Sequence, residues 1–213
     1  MGIFDVFMKN VRMPQGFIGR LMARGMNKTH HMRTNWGLQH VTIQEDYTIL
    51  DIGCGGGRTI RKLADKAPSG KIYGIDISKD SVEVAKNHNR KLISNGKVDI
   101  RVSGVSDIPF IADTFDLITA VETHYYWPHL ETDLGEVLRV LKPGGVFLVV
   151  GGEYLGSRFD DRNISWANTI GMRLHTLDEF NDILVGVGFV NVDVLEDNKN
   201  GWFCATAEKN IEK

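Results

Sequence analysis

The sequence has few cysteines and no long apolar run. Only Cys54 and Cys204 occur among its 213 residues, which excludes a disulfide framework or a multi-cysteine metal site and suits a reducing compartment. The longest apolar stretches, 146–150 and 183–190, are far shorter than the roughly 18 residues that span a bilayer. Residues 1–8 lack the basic start and the small-residue cleavage site of a signal peptide. The sequence therefore predicts a soluble cytoplasmic protein without a membrane span.

The chain also lacks a strong excess of charge of either sign. Its formal net charge is −2 and its pI is about 6.4, which argues against a nucleic-acid binder. The charges are distributed unevenly, because residues 1–44 contain six basic residues and one acidic residue. This basic segment is either a solvated helical face or an arm that meets an anionic substrate or a membrane surface, and the sequence does not decide between them.

Short apolar runs alternate with amphipathic segments after residue 45. This alternation predicts an α/β fold, a doubly wound and mostly parallel sheet with helices on both faces, and the last two runs predict a C-terminal hairpin that contributes one antiparallel strand. Residues 1–45 are expected to form an N-terminal helical extension or lid, with a helical pattern at 17–22, and residues 46–213 the main domain. The seven predicted strands are 48–52, 71–76, 98–103, 115–121, 146–150, 189–195 and 201–209; the predicted helices are 59–67, 78–95, 130–141 and 177–187.

A glycine-rich turn follows the first predicted strand. Asp51 precedes glycines at 53, 55, 56 and 57, and Arg58 stands where a dinucleotide-binding motif has its third glycine. An acid at the strand end opposes a pyrophosphate and favours a ligand with positive charge, such as S-adenosylmethionine (SAM). Asp76 ends the second strand near the spacing expected for a carboxylate that accepts both ribose hydroxyls. The electrostatics therefore favour SAM over a dinucleotide.

These segments together resemble the class I SAM-dependent methyltransferases, most of all the subfamily that includes the ubiquinone/menaquinone C-methyltransferases. The resemblance covers roughly residues 35–207 and implies a Rossmann-like fold, SAM as cofactor with S-adenosylhomocysteine (SAH) as product, and in-line methyl transfer to a small-molecule acceptor. It is carried by residues 49–57, 74–78, 107–110, 115–116, 136–145, 188–189 and 201–202.

The resemblance also implies roles for single residues. Asp51, Gly53 and Gly55 would line the methionine end of SAM, with Cys54 contributing its backbone and Val121 lying beneath it. Asp76 would hold the ribose hydroxyls and Ile77 would pack on the adenine. The chain departs from the family at Gly104, where an acidic residue followed by a small one usually contacts adenine. Val105 follows it, so the adenine amino group is held by the backbone, by Ser106, or less tightly.

Residues 122–128 follow the fourth predicted strand, where the family lines its methyl-transfer site. His124 is a candidate general base and Tyr125 a second candidate catalytic residue. Tyr126 and Trp127 are candidates for substrate contact, and Trp36 for a cover over SAM. The alternative is that these aromatic side chains pack in the core. No metal site is predicted, because no Cys, Asp or Glu near His30 and His31 completes a ligand set.

Two rival functions remain open at this point. One is a nucleotide-dependent oxidoreductase, which Arg58 in the third glycine place disfavours. The other is a SAM- or nucleotide-binding protein of the same fold without methyl-transfer activity, which Gly104 leaves open. The acceptor and the oligomeric state are not readable from the sequence.

Overall fold

The apolar runs form one seven-stranded sheet in a computed structural model that describes residues 31–211. Short strands rich in Val, Ile and Leu are typical of a parallel sheet that is covered on both faces. The strands are β1 (Thr48–Ile52), β2 (Lys71–Asp76), β3 (Val98–Val102), β4 (Phe115–Val121), β5 (Leu141–Gly151), β6 (Phe189–Asp197) and β7 (Trp202–Lys209).

The strand order is β3-β2-β1-β4-β5-β7-β6. β1 pairs in parallel with β2 on one side and with β4 on the other, so the topological switch point lies at the carboxyl end of β1. β7 pairs antiparallel with both β5 and β6 and lies next to the edge strand. The predicted fold class, including the single antiparallel strand from a C-terminal hairpin, is confirmed.

Helices cover both faces of the sheet. The helices are α1 (His31–Gly37), α2 (Arg58–Lys66), α3 (Lys79–His88), α4 (Arg90–Ser94), α5 (Leu130–Val140), α6 (Asp160–Ile170) and α7 (Leu177–Val187); two short 3₁₀ turns are Val105–Asp107 and His124–Tyr126. None of the helices within residues 31–211 is long and apolar enough to cross a membrane.

Successive residues of each central strand enter two different cores, because side chains alternate between the faces of a sheet. Leu50 of β1 and Ile118 of β4 pack with α5 and α7. Ile49 and Leu117, one position earlier in the same strands, pack with α2 and α3. All four side chains are fully buried. The two cores hold the central strands firmly, so that their carboxyl ends form a fixed edge.

Two element boundaries and one whole helix differ clearly from the sequence-based prediction. The predicted helix 78–95 begins at its expected N-cap, where Ser78 Oγ accepts from the Ser81 N–H at 3.1 Å, but it breaks at Asn89 into α3 and α4. Leu141, predicted as helical, starts β5 because it pairs with Phe115 of β4. α6 was not predicted, since only Asn163 and Ile170 of its residues are buried and it has no apolar stripe.

The predicted N-terminal extension lies largely outside the described residues. The helical pattern at 17–22 and all but one of the basic residues of the first 44 fall in the part that is not described. Within the extension, residues 31–37 form α1, which packs against β5 and β7. The predicted domain boundary at residue 45 stays a prediction.

Candidate active site

A left-handed glycine turn connects β1 to α2 at the switch point. Gly53, Gly55 and Gly57 have φ of +69°, +51° and +78°, a backbone region that residues with a Cβ rarely adopt. A Cβ at Gly53 would also collide with the side chain of Thr123, and one at Gly57 would lie 2.6 Å from Asn89 Nδ2. The turn therefore needs glycine both for its shape and for its contacts with the loop after β4 and with the end of α3.

Asp51 lies in the floor of this turn with only 2% of its surface exposed. Its Oδ1 accepts from the Thr119 hydroxyl at 2.7 Å. Burial raises the pKa of Asp51 to about 7, with a further upward contribution from the charge of Asp76. A carboxylate in this position is costly to ionise unless a cation approaches it.

Asp76 lies at the tip of β2 and is bound to the glycine turn. One carboxylate oxygen accepts from the Gly55 N–H at 2.9 Å and the other from the Ser78 N–H at 2.8 Å. Burial raises the pKa of Asp76, and the two N–H donors partly offset this. Within residues 31–211, neither Asp51 nor Asp76 forms an ion pair with a lysine or arginine, so the two acids leave negative charge for a ligand.

A cavity of about 290 Å³ opens over these groups. The lining comprises residues 103–106 after β3, 76–77 at the end of β2, 51–56 at the end of β1, and 121–123 and 126–128 at the end of β4, together with residues of α1 and α2. Adjacent strands are about 4.8 Å apart, so a cavity across four neighbouring strand tips extends about 15 Å. The strand order therefore fixes a linear order of subsites from β3 to β4.

The β3 end of the cavity has an apolar wall and one hydroxyl. Ile77 exposes 53% of its surface and lines the cavity with Gly104 and Val105. The Ser106 hydroxyl donates to Asp133 Oδ1 at 2.6 Å, and Asp133 is completely buried in α5. The hydrogen bond to Asp133 thus fixes the orientation of the Ser106 hydroxyl group, and the lone pairs of its oxygen are available to the cavity.

Basic side chains occupy the side of the cavity formed by α1 and α2. His31, Arg58 and Lys62 line it, and the Lys62 ammonium donates to the His31 carbonyl oxygen at 3.1 Å. Burial and the nearby Arg58 lower the pKa of Lys62 to about 8. These groups, next to the N-terminus of α2, favour an anion such as a carboxylate.

The β4 end combines aromatic walls with a buried acid. Val121, Glu122, Tyr126 and Trp127 line the cavity here. Glu122 has a φ of +59°, and its Oε2 accepts from the Tyr125 hydroxyl at 2.8 Å. Its other carboxylate oxygen forms an ion pair with Arg33. This end therefore combines aromatic side chains with one fixed carboxylate.

The family described as "Methyltransferase domain" matches residues 43–172, which is more than half of the chain. This chain belongs to the class I SAM-dependent methyltransferases. The predicted family, fold and cofactor are thereby confirmed.

Similar proteins act on different acceptors. This chain is 33% identical over 154 residues to squalene methyltransferase 2 of Botryococcus braunii, and the alignment covers 72% of this chain and 37% of that protein. It is 34% identical over 112 residues to demethylmenaquinone methyltransferase of Symbiobacterium thermophilum, covering 52% and 45%. The chain thus spans less than half the length of either relative.

A solved structure has the same fold at low identity. Phosphoethanolamine N-methyltransferase 2 of Haemonchus contortus, in complex with S-adenosyl-L-methionine, superposes with a TM-score of 0.79 at 16% identity, covering 99% of this chain and 60% of that one. At this identity the likeness shows the fold alone.

The cavity brings together most of the residues that the sequence predicted. All nine predicted cofactor residues line it: Asp51, Gly53, Cys54, Gly55, Asp76, Ile77, Val105, Ser106 and Val121. Tyr126 and Trp127, predicted to contact substrate, line it as well. Their roles toward a bound molecule stay predictions. Among the described residues there is no group of three or more His, Cys, Asp or Glu that could hold a metal ion.

Three predicted residues lie elsewhere. His124 is 6% exposed and packs between Phe180 and Phe203 behind the cavity wall; burial lowers its pKa to about 3, so the predicted base cannot take up a proton at neutral pH. Tyr125 is buried beside it and only its hydroxyl reaches Glu122.

Trp36 is the third of these residues. It packs against His40 and Trp202, with ring centroids 4.9 and 6.1 Å away, and it is absent from the described lining of the cavity. An aromatic run cannot tell by itself which rings face the core, because all of them are hydrophobic.

Several residues of the cavity were not predicted. Glu122 is the most important, and its signal was present: an acid directly after a buried strand and before four ring-bearing residues. Lys62 stands one helical turn after Arg58, so both were readable as neighbours on one face of α2. Arg33 could not be found from the sequence, since its contact with Glu122 joins residues 89 positions apart.

Proposed function

We propose that this chain transfers a methyl group from SAM to a small-molecule acceptor by in-line displacement. When bound, SAM supplies a methyl group on a positively charged sulfur. The observation that carries the proposal is a pair of carboxylates on either side of the glycine turn, the buried Asp51 and the partly buried Asp76, without a lysine or arginine partner among the described residues. A nucleoside with a cationic tail satisfies both, whereas a pyrophosphate would be repelled.

The adenosine part fits the β2 and β3 tips. Each oxygen of Asp76 accepts one backbone hydrogen bond and keeps a lone pair for a ribose hydroxyl. Ile77 offers an exposed apolar face next to it, on which a purine ring can pack. A side chain at Gly104 would touch Ile77 at 3.3 Å, so glycine there leaves room for the base.

The methionine part fits the β1 tip and the start of α2. Asp51 meets the ammonium group through the open glycine turn, since no heavy atom lies within 4 Å of the place where Gly55 would carry a Cβ. Arg58 and Lys62 on the opposite wall suit the carboxylate. The zwitterionic tail of the cofactor thus meets complementary charges in a fixed order.

The acceptor fits the β4 end of the cavity. Tyr126 and Trp127 form aromatic walls that exclude water and orient an apolar or ring-bearing small molecule. Because a sulfonium is already activated, holding donor and acceptor in line supplies most of the catalysis. Both cysteines are free and buried, which fits a reducing compartment, and we propose the cytoplasm as its location.

Turnover tests this proposal. The protein is incubated with SAM and a panel of quinone, sterol, amine, thiol and carboxylate acceptors plus a small-molecule cell extract, and SAH is quantified. We expect SAH to form with at least one acceptor pool. A protein that binds SAM but forms no SAH with any pool would be a binding protein without activity, and one that binds NAD but not SAM would be the oxidoreductase; either result contradicts the proposal.

A further inference from the structure

Glu122 occupies a strained position at the β4 end of the cavity. Its backbone N–H still belongs to the sheet, donating to the Val150 carbonyl at 2.9 Å, but its φ of +59° is unusual for a residue with a long side chain. Such strain persists only where the surroundings determine it, and it is concentrated at functional sites. Here the backbone directs an acid into a cavity wall that is otherwise aromatic.

The Glu122 carboxyl group belongs to a cluster of four side chains, of which Glu122 and Tyr125 are buried and Arg33 and Glu153 are partly buried. One guanidinium nitrogen of Arg33 contacts Glu122 and lies 3.6 Å from Glu153 Oε2, and the Tyr125 hydroxyl donates to Glu122. Arg33 itself is packed against Gly152 and lies 5.8 Å from the Trp202 ring centroid. The Arg33 guanidinium therefore lies between the two carboxyl groups.

The groups around the two glutamates do not change their protonation near neutral pH. Burial and Glu122 raise the pKa of Tyr125 well above its ordinary value, and burial keeps neighbouring His124 neutral. The pKa of Arg33 is raised, because its two glutamate partners outweigh burial. Arg162 of α6 is the other charged group facing Glu153.

Glu153, unlike Tyr125, His124 and Arg33, has a pKa close to neutral pH. Burial, followed by the charge of Glu122, raises its pKa to about 8, while Arg33 and Arg162 act in the opposite direction. At neutral pH one proton is therefore held by the glutamate pair, and a change of charge in the cavity can release it.

We propose that Glu122 is the base that takes the acceptor's proton during methyl transfer, with Glu153 as the carboxyl that shares this proton and Arg33 as the positioning residue. This inference rests on the proposed function. As the acceptor atom bonds to the methyl carbon, the carbon–sulfur electron pair returns to sulfur, and the proton on the acceptor atom passes to the Glu122 carboxylate. The acceptor is thus a compound that carries a proton on the methylated atom: an alcohol, an amine or an acidic carbon.

An experiment without any acceptor tests the proton pair. SAM and SAH differ by the methyl group and its positive charge, which in the proposed binding mode lies near Glu122 in the cavity wall. Isothermal titration calorimetry in two buffers of different ionisation enthalpy, at pH 7.5, gives the protons released on binding each ligand. In the wild type we expect SAM to release about 0.3 to 0.6 proton more than SAH, because the sulfonium favours ionisation of the pair.

Two variants and a control make the result specific. The ligands' own amino groups set a difference in proton release between SAM and SAH that is the same in all variants. In Glu122→Gln and in Glu153→Gln the excess proton release with SAM should fall to this common value, because the contribution of the glutamate pair is lost. Glu131→Gln, at an exposed position in the first turn of α5, should behave as the wild type. An excess that is unchanged in both variants refutes the proposed base, whereas a failure of SAM and SAH to bind at all refutes the proposed function.

Turnover with an acceptor from the panel provides a second readout. Glu122→Gln should lower the rate about 100-fold or more, the usual contribution of a general base, with SAM affinity within about threefold of the wild type. Glu122→Asp should restore part of the rate, and the wild-type rate should rise with pH as the pair loses its proton. A Glu122→Gln enzyme that keeps its rate and its pH profile contradicts the inference.

Discussion

At the scale of single residues, the charge of Asp51 is expected to oppose folding and to favour binding of a cationic ligand. Its carboxyl group is 2% exposed and its pKa is about 7 in the folded chain, against about 3.9 in an unfolded one. A raised folded-state pKa means that ionisation opposes folding, so stability is lost as pH rises from about 4 to about 7. The cation that would offset this cost is the ligand.

Asp51→Asn should therefore stabilise the ligand-free protein and weaken its ligand. The amide keeps an oxygen for the Thr119 hydroxyl and removes the buried charge. By linkage we expect the free energy of unfolding to rise by up to about 4 kcal/mol at pH 8 and by less than about 1 kcal/mol at pH 4, measured by urea denaturation. SAM affinity should fall at least about tenfold at pH 8. If the variant is less stable at both pH values, the Asp51 carboxyl group stabilises the fold, which contradicts this prediction.

Ser106 is the candidate contact for the adenine amino group, because Gly104 replaces the family's acidic residue. Its hydroxyl is oriented by Asp133 at 2.6 Å, and its free lone pair can accept from the adenine amino group. Ser106→Ala should lower SAH affinity about 5- to 15-fold but leave unchanged the affinity for an SAH analogue that lacks this amino group. Ser103→Ala is the matched control, because Ser103 lines the same cavity but its hydroxyl donates to the Asp107 carbonyl at 2.9 Å. Equal losses for both ligands would exclude the contact.

At the level of elements, the break between α3 and α4 supports the glycine turn. Asn89 is buried at the break, and its Nδ2 donates to the Gly57 carbonyl at 2.9 Å and to the Ala85 carbonyl at 3.0 Å. The side chain thus ties the end of one helix to the start of another across 32 residues of sequence. The glycine turn is thus supported by a residue outside the cavity lining.

Asn89→Ala should loosen this link. It removes the side-chain donor to the Gly57 and Ala85 carbonyls, which keep their backbone donors, so we expect a loss of about 0.5–1.5 kcal/mol of unfolding free energy and weaker SAH binding, because the turn loses its support. Asn95→Ala, at an exposed position after α4, is the control and should change neither property. Chemical denaturation and calorimetry with SAH measure both effects, and an Asn89→Ala protein that is destabilised yet binds SAH as tightly as the wild type would mean that the turn holds its shape alone.

At the scale of the whole molecule, most of the sheet and the cofactor side of the cavity were predictable. Strands such as β1 are continuous apolar runs, and parallel order brings their carboxyl ends to one edge, so Asp51 and Asp76 had to meet there. The acceptor side was not predictable. It depends on which rings of an aromatic loop turn inward, which Tyr126 and Trp127 do and His124 does not, and on Arg33, which reaches Glu122 only through the packing of α1 on the sheet.

The most direct test of the central claim is the affinity of the cavity for a cationic nucleoside. Isothermal titration calorimetry compares SAM, SAH and NAD on the wild type, on Asp76→Ala and on Asp65→Ala, an exposed acid outside the cavity lining. The account predicts binding of SAM and SAH but not NAD, a loss of about 10- to 100-fold in Asp76→Ala, and no change in Asp65→Ala. Unchanged SAM affinity in Asp76→Ala, or binding of NAD in preference to SAM, would contradict it.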